Sequence, residues 1–183
     1  MDDLPESLFN ILSTHFKFLK ELDFQGVPLD HVPEELGNLL HLRYLSLRDT
    51  KVKMLPKSIG KLHNLQTLDL KRSLVHELPT EMNKLYNLQY LLAYYTIYDR
   101  NSNIYSRRAV KMSNSSTNLQ SLEKLFNVET REGDEFFIEL GRLKQLRKLG
   151  ISKVKSKHGV ALCTAIEQMN YLQALIISSI KDY

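Results

Sequence analysis

The chain has 183 residues, 43% of them hydrophobic and 25% charged, with a net charge of +4. That length suits one domain or one run of repeats, and no apolar stretch approaches the roughly 18 residues a membrane helix needs. Cys163 is the only cysteine, which excludes an internal disulfide and fits a reducing compartment, and the acidic start MDDLPESLFN lacks the pattern of a secretory signal.

Taken in chain order, the first residues (LPESLFNILSTHF) are expected to pack as a partial helix over the first repeat. Leu19 then opens a phrase L-x-x-L-x-[LFA] that returns at Leu42, Leu65 and Leu88, each time after 23 residues. In the second copy Leu42, Leu45 and Leu47 point inward, while Tyr44, Ser46 and Arg48 alternate outward with the period of a β-strand. Thr50, and Ser73 in the third copy, offer a small hydroxyl that can bond a backbone group as the chain leaves the strand. Val52 and Leu55 return to the core. Pro56 sets a turn and can open a short helical segment, with Ile59 and Leu62 at i, i+3 and Gly60 between them. Val32-Pro33…Leu36…Leu39 and Leu78-Pro79…Met82…Leu85 repeat that return.

The regular run, residues 16–92, then breaks. Residues 93–118 read as an irregular polar insert. Aligning Leu122 with Leu88 leaves about eleven extra residues and puts Met112, Ser113 and Ser116 in the places of Leu55, Pro56 and Ile59. Asn127 falls where Leu47 would be, so Phe126 or Val128 must supply the apolar contact. Longer repeats occupy 119–180, through Leu140…Leu143…Leu146…Leu149…Ile151 and Ile166…Met169…Leu172…Leu175…Ile177. Leu162, Ile166 and Met169 stand at i, i+4, i+7, which argues for a helix.

A period of 20 to 29 residues with this spacing marks leucine-rich repeats. The expected fold is α/β: one leucine-rich-repeat solenoid over 1–183, with about seven repeats. A curved parallel sheet lines its concave side, and short helices and loops lie on its convex side. Seven strands at about 4.8 Å per step give an arc roughly 30 Å long. Repeat ends are normally sealed by a polar cap or a neighbouring domain, and neither end of this pattern reads as a cap. The chain is therefore expected to be a fragment of something larger.

Such a coil offers an extended binding surface and no ready cleft for chemistry. The six histidines are scattered without ligand spacing, so no metal site is expected. Cys163, beside Leu162 in the expected helix, reads as a buried structural thiol, and Gly133-Asp134-Glu135 as a solvated turn. The sequon Asn114-Ser115-Ser116 reads as chance. The basic runs at 106–111 and 153–158 read as solvated surface, since they neither share a helix nor adjoin an aromatic motif, and no nucleic-acid partner is expected. No catalytic, metal or cofactor residue is assigned.

The concave face is the expected partner site. Its outward positions are Glu21, Asp23 and Gln25; Tyr44, Ser46 and Arg48; Thr67, Asp69 and Lys71; and Tyr90, Leu92 and Tyr94. The nine from Tyr44 to Tyr94 are the candidate contact residues. Repeat geometry sets Tyr44, Thr67 and Tyr90 in one lateral row, Arg48, Lys71 and Tyr94 in another, and Asp23, Ser46, Asp69 and Leu92 between. Interface energy concentrates on aromatic and arginine residues, which draws attention to Tyr90, Leu92, Tyr94 and Tyr95. Two readings of that patch stay open: it meets a partner, or the insert folds back over it. Tyr98, Tyr105, Arg107 and Arg108 make the insert a second candidate surface, again with the alternative that it has no role.

The phrases LRYLSLRDTKVKMLPKSIGKLHNLQTLDLKRSLVHELPTEMNKLYNLQYL and LRKLGISKVKSKHGVALCTAIEQMNYLQAL resemble the repeat region of plant intracellular immune receptors, specifically the coiled-coil class of nucleotide-binding leucine-rich-repeat disease-resistance proteins. The resemblance runs from about Leu4 to Ile180. It rests on L-x-x-T-x-[VI]-x-x-L-P at 47–56, the tyrosine-rich insert and the helical repeat near Leu162. It implies a cytoplasmic protein-interaction module that takes part in sensing a pathogen effector or a guarded host protein. It also implies contacts that hold a neighbouring nucleotide-binding switch domain inactive. ATP or ADP would belong to that switch, because this chain carries no G-x-x-x-x-G-K-[ST] loop. The other reading is a free-standing intracellular scaffold for signalling proteins, a class that keeps regular 23-residue repeats with Asn at the positions of Thr50 and Ser73.

Overall fold

The computed structural model describes residues 6–99, 104–112, 118–130, 133 and 135–179. The sequon, Ser113 and Ser116 lie outside them, as do the side chains of Tyr98, Tyr105 and Arg107. The strands in chain order are β1 (Glu21–Asp23), β2 (Tyr44–Ser46), β3 (Thr67–Lys71), β4 (Glu77–Leu78), β5 (Tyr90–Asp99), β6 (Ile104–Arg108), β7 (Val110–Met112), β8 (Lys124–Glu129), β9 (Lys148–Val154) and β10 (Ala174–Ser179). Parallel pairing runs β1-β2-β3-β5-β8-β9-β10, the continuous sheet of a solenoid.

Each coil is built by the same physics. Leu42, Leu45, Leu47, Val52, Ile59 and Leu62 are all fully buried, and their counterparts one turn on continue the same core. The Thr50 hydroxyl donates to the Leu47 carbonyl at 2.7 Å and the Ser73 hydroxyl to the Leu70 carbonyl at 2.8 Å, the turn role expected of them. The chain leaves the strand through a left-handed residue at one fixed position, seven after the opening leucine: Gly26, Asp49, Arg72 and Lys153, with φ of 75°, 58°, 58° and 61°. Pro56, at φ −66°, precedes a 3₁₀ segment over Lys57–Lys61. Three residues per turn then put Ile59 and Leu62 on one side. Glu34, from the turn before, accepts the Lys57 and Ser58 N–H groups at 3.1 and 2.8 Å, satisfying donors that a helix start leaves open. These bonds, that from Ser58 foremost, hold the Glu34 carboxyl below its ordinary pKa. Successive 3₁₀ segments stack closely enough that a Cβ on Gly60 would sit 2.9 Å from the Glu81 carbonyl oxygen.

At β5 the pattern departs from expectation. Residues 93–118 are not an irregular insert throughout. Where β1, β2 and β3 turn away, β5 stays extended to Asp99 and pairs antiparallel with β6, from Tyr95 opposite Arg108 to Asp99 opposite Ile104. The physical reason is composition: Tyr94-Tyr95-Thr96-Ile97-Tyr98 is a run of aromatic and β-branched residues, which favour a strand over a turn. β7 then rejoins the coil beside β4 and β8. Its Met112 stands opposite Leu78, which puts it in the place anticipated for it. In β8 the ladder shifts register between Leu125 and Val128, and Asn127 takes φ 67°. The bulge turns Val128 into the core, while Phe126 stays half-exposed.

Helix α1 (Glu6–His15) packs over the first turn, with the Phe9 ring 5.4 Å from that of Phe24. Helix α2 (Glu135–Gly141) begins at a residue expected in a turn; Phe136, Phe137 and Leu140 bury its inner side. Helix α3 (Gly159–Glu167) buries Leu162 and Ala165. No helix among the described residues is long and apolar enough to cross a membrane.

Candidate protein-interaction face

Strand register brings the anticipated rows together. Glu21, Tyr44, Thr67, Tyr90 and Lys124 are consecutive partners across β1, β2, β3, β5 and β8. Asp23, Ser46, Asp69, Leu92 and Phe126 form the next row, and Lys71 stands opposite Tyr94. Arg48 lies just past the end of β2, with Nε 3.5 Å from Asp49 Oδ2 but unaligned for a hydrogen bond.

Three of the nine candidates are buried and are corrected accordingly. Ser46 is 1% exposed, Asp69 5% and Tyr94 7%. Alternation assigns a side, but strands about 4.8 Å apart leave little room above a short side chain. Ser46 is too short to rise past Tyr44 and Arg48, and Asp69 past Lys71 and Leu92. Asp69 is also spoken for: Lys71 Nζ lies 2.9 Å from its carboxylate and the Lys71 N–H donates to it at 2.9 Å. Two residues expected to face a partner thus neutralise each other. Tyr94 sits at the base of the hairpin, beside the Arg72 guanidinium. Tyr44, Thr67, Tyr90 and Leu92 remain half-buried with part of each side chain at the surface, whereas Tyr95 packs against the core.

The face also continues past the residues assigned to it. Lys124 and Lys148 stand opposite each other on β8 and β9, and Lys148 opposite Ala174 on β10. Gly150 stands opposite Ile176. Tyr90 donates to Glu123 Oε2 at 3.3 Å, and Arg147 Nε approaches the same oxygen at 3.5 Å. The same two-residue alternation applied to the phrases at Leu122, Leu146 and Leu172 would have found these positions.

Elsewhere the titratable groups serve the coil. Cys163, expected to be buried, is exposed. It follows Leu162 directly, and one helical residue turns it about 100° away from the core. The run at 153–158 is not simply solvated: Lys153 pairs with buried Glu129 at 2.7 Å, and His158 is buried 5.3 Å from the Phe137 ring. His158 Nδ1 accepts the Lys155 N–H at 3.2 Å. His41 meets Phe18 and His63 stacks on Tyr86, each across one turn of the coil. Among the described residues no three His, Cys, Asp or Glu side chains gather as a metal site.

The family model for the leucine-rich repeat region matches residues 5–183. The chain belongs to the leucine-rich-repeat family. Solved structures agree on the fold. A leucine-rich-repeat protein of Leptospira interrogans, LIC12759, is 23% identical with a TM-score of 0.50, over 88% of this chain and 49% of that one. The protein in the PEPR1–AtPEP1 crystal structure is 22% identical with a TM-score of 0.63, over 97% of this chain and 23% of that one. This leucine-rich-repeat chain therefore spans about half of the first and under a quarter of the second. No curated protein matches it by sequence. Repeat solenoids of this fold typically serve as protein-interaction scaffolds.

Proposed function

We propose that this chain is the protein-interaction module of a plant immune receptor, acting in the cytoplasm through its concave face. There it contributes to recognition of a pathogen effector or a guarded host protein. It also helps hold a nucleotide-binding switch domain, which would carry the ATP or ADP, in its inactive state. The observation that carries the interaction role is the row Tyr44–Thr67–Tyr90, held in register on three neighbouring strands with Leu92 beside it. Aromatic side chains presented on a rigid sheet lose little entropy on binding and supply much contact area. Support for the receptor context is the phrase at 47–56 with its Thr50 turn, the inserted hairpin and helix α3. Any switching requires the ligand to bind one receptor state better than the other.

The test is recovery of the tagged chain from plant tissue and identification of what accompanies it. A nucleotide-binding switch protein is expected, with recovery falling at least tenfold when Tyr44, Tyr90 and Leu92 are changed to Ala and the coil stays folded. Recovery of signalling enzymes in its place, unaffected by those changes, would support the free-standing scaffold and reject the receptor reading.

A further inference from the structure

Along the concave rows the chemistry changes sign. The row beginning with Glu21 runs through Lys124 and Lys148 to Ala174; the row beginning with Asp23 reaches Leu92 and Phe126, and beyond the β8 bulge Gly150 stands opposite Ile176. Neither Lys124 nor Lys148 has a carboxylate within ion-pair reach among the described residues; Lys148 Nζ instead lies 5.8 Å from the Phe126 ring centroid. Gly150 makes room for that ring: a Cβ there would come within 3.1 Å of Phe126 Cδ2. Leu92 stands opposite Phe126, the Phe126 ring lies beside Gly150, and Gly150 stands opposite Ile176, which is 45% exposed. The result is an apolar stripe over four strands with a cationic row beside it.

We infer that this C-terminal half of the sheet binds an extended peptide segment in which acidic and apolar residues alternate. The inference rests on the concave-face reading and names the chemistry of its partner. The two rows are two residues apart along each strand, roughly 7 Å. A peptide laid across the strands, edge-on between the rows, points successive side chains to opposite sides. Acidic side chains on one side meet Lys124 and Lys148, and apolar ones on the other meet the stripe of Leu92, Phe126 and Ile176. The acidic residues Glu21 and Asp23 repel such a segment from the other end, which fixes where along the coil it sits. Charge complementarity of this kind sets register and encounter rate, while the desolvated aromatic supplies affinity.

The experiment is fluorescence anisotropy with a labelled six-residue peptide of alternating Glu and Leu or Phe. Its Lys-for-Glu counterpart and a version with the acids and apolars in separate blocks serve as comparisons. The alternating acidic peptide is expected to bind the intact chain, more weakly at high salt, and at least tenfold better than either comparison. The double variant K124E/K148E and the single variant F126S should each lose at least tenfold, with unchanged circular dichroism and denaturation midpoint. K53E/K57E, which alters net charge equally on other parts of the coil, should bind as the parent does. Absence of binding, undiminished binding by K124E/K148E, or an equal loss in K53E/K57E overturns this inference and leaves the concave-face reading standing. That reading fails separately, if Tyr44→Ala and Tyr90→Ala leave recovery of the switch protein unchanged.

Discussion

Arg72 reaches back one turn of the coil to Asp49, its Nε and Nη2 donating to the two carboxylate oxygens at 2.5 and 2.6 Å. Both residues occupy the left-handed exit position of their repeats, at φ 58°. The backbone conformation that ends each strand therefore also aligns the side chains that tie one turn to the next. Asp tolerates that conformation far better than Arg does, so the fork between the two offsets the strain at Arg72.

The same pair sets an acid limit. The Arg72 hydrogen bonds hold the Asp49 carboxyl below its ordinary range, as the Ser58 N–H does for Glu34. A carboxyl whose folded pKa is depressed contributes stability that is present above the unfolded value, about 3.9 for Asp, and is lost as pH falls through the folded value. Urea unfolding followed from neutral pH into the acid range should show a shallower loss of stability in Asp49→Asn and Glu34→Gln than in the parent. Parallel curves for parent and variants would remove both groups from the account.

The turn hydroxyls are buried and bonded, so their loss should be felt. Thr50→Val leaves the Leu47 carbonyl without its 2.7 Å partner. An unsatisfied buried acceptor costs about 1–3 kcal/mol. Ser73→Ala should cost at least as much, because Ser73 Oγ also accepts the Val75 N–H at 3.3 Å. Denaturant midpoints at constant slope measure both.

Two glycines should respond in opposite directions. Gly60→Ala forces a methyl to 2.9 Å from the Glu81 carbonyl and should destabilise by about 1–3 kcal/mol. Gly159, in α3 with open space around it, should gain up to about 1 kcal/mol as Ala. Thermal unfolding of the two variants side by side checks the contrast.

The bulge in β8 makes a sharper claim. Asn127 holds φ 67° and its Nδ2 donates to the Arg108 carbonyl at 3.3 Å. Asn127→Gly should be close to neutral, since it relieves the backbone while losing that bond. Asn127→Val should cost about 1–2 kcal/mol or more from the left-handed penalty alone. Equal stability in both would mean that the bulge is not held by that conformation.

Sequence periodicity was a good guide wherever one residue's place depends on its own phrase. The inward leucines, the Thr50 and Ser73 turns, the Met112 register and the half-exposed row Tyr44–Thr67–Tyr90 all follow from a repeat of 23 and an alternation of two. It failed at 93–118, where polar composition masked two strand signals, around Thr96-Ile97-Tyr98 and Ile104-Tyr105, whose pairing is antiparallel and unlike the repeats on either side. It failed also at Ser46, Asp69 and Tyr94, because alternation tells which side of a sheet a residue takes and not how tall its neighbours stand.

By itself, then, the order of amino acids determined the solenoid, the place of each coil and the direction of the concave face, because burying one leucine row requires an equivalent row on the next turn. Only the tertiary structure decided which concave residues reach the surface, that Arg72 clasps Asp49, and that Phe126 packs beside Gly150, the partner of Ile176. The last two outcomes depend on distances between residues at least 23 apart in sequence and a few ångströms apart in space. No local pattern encodes such distances.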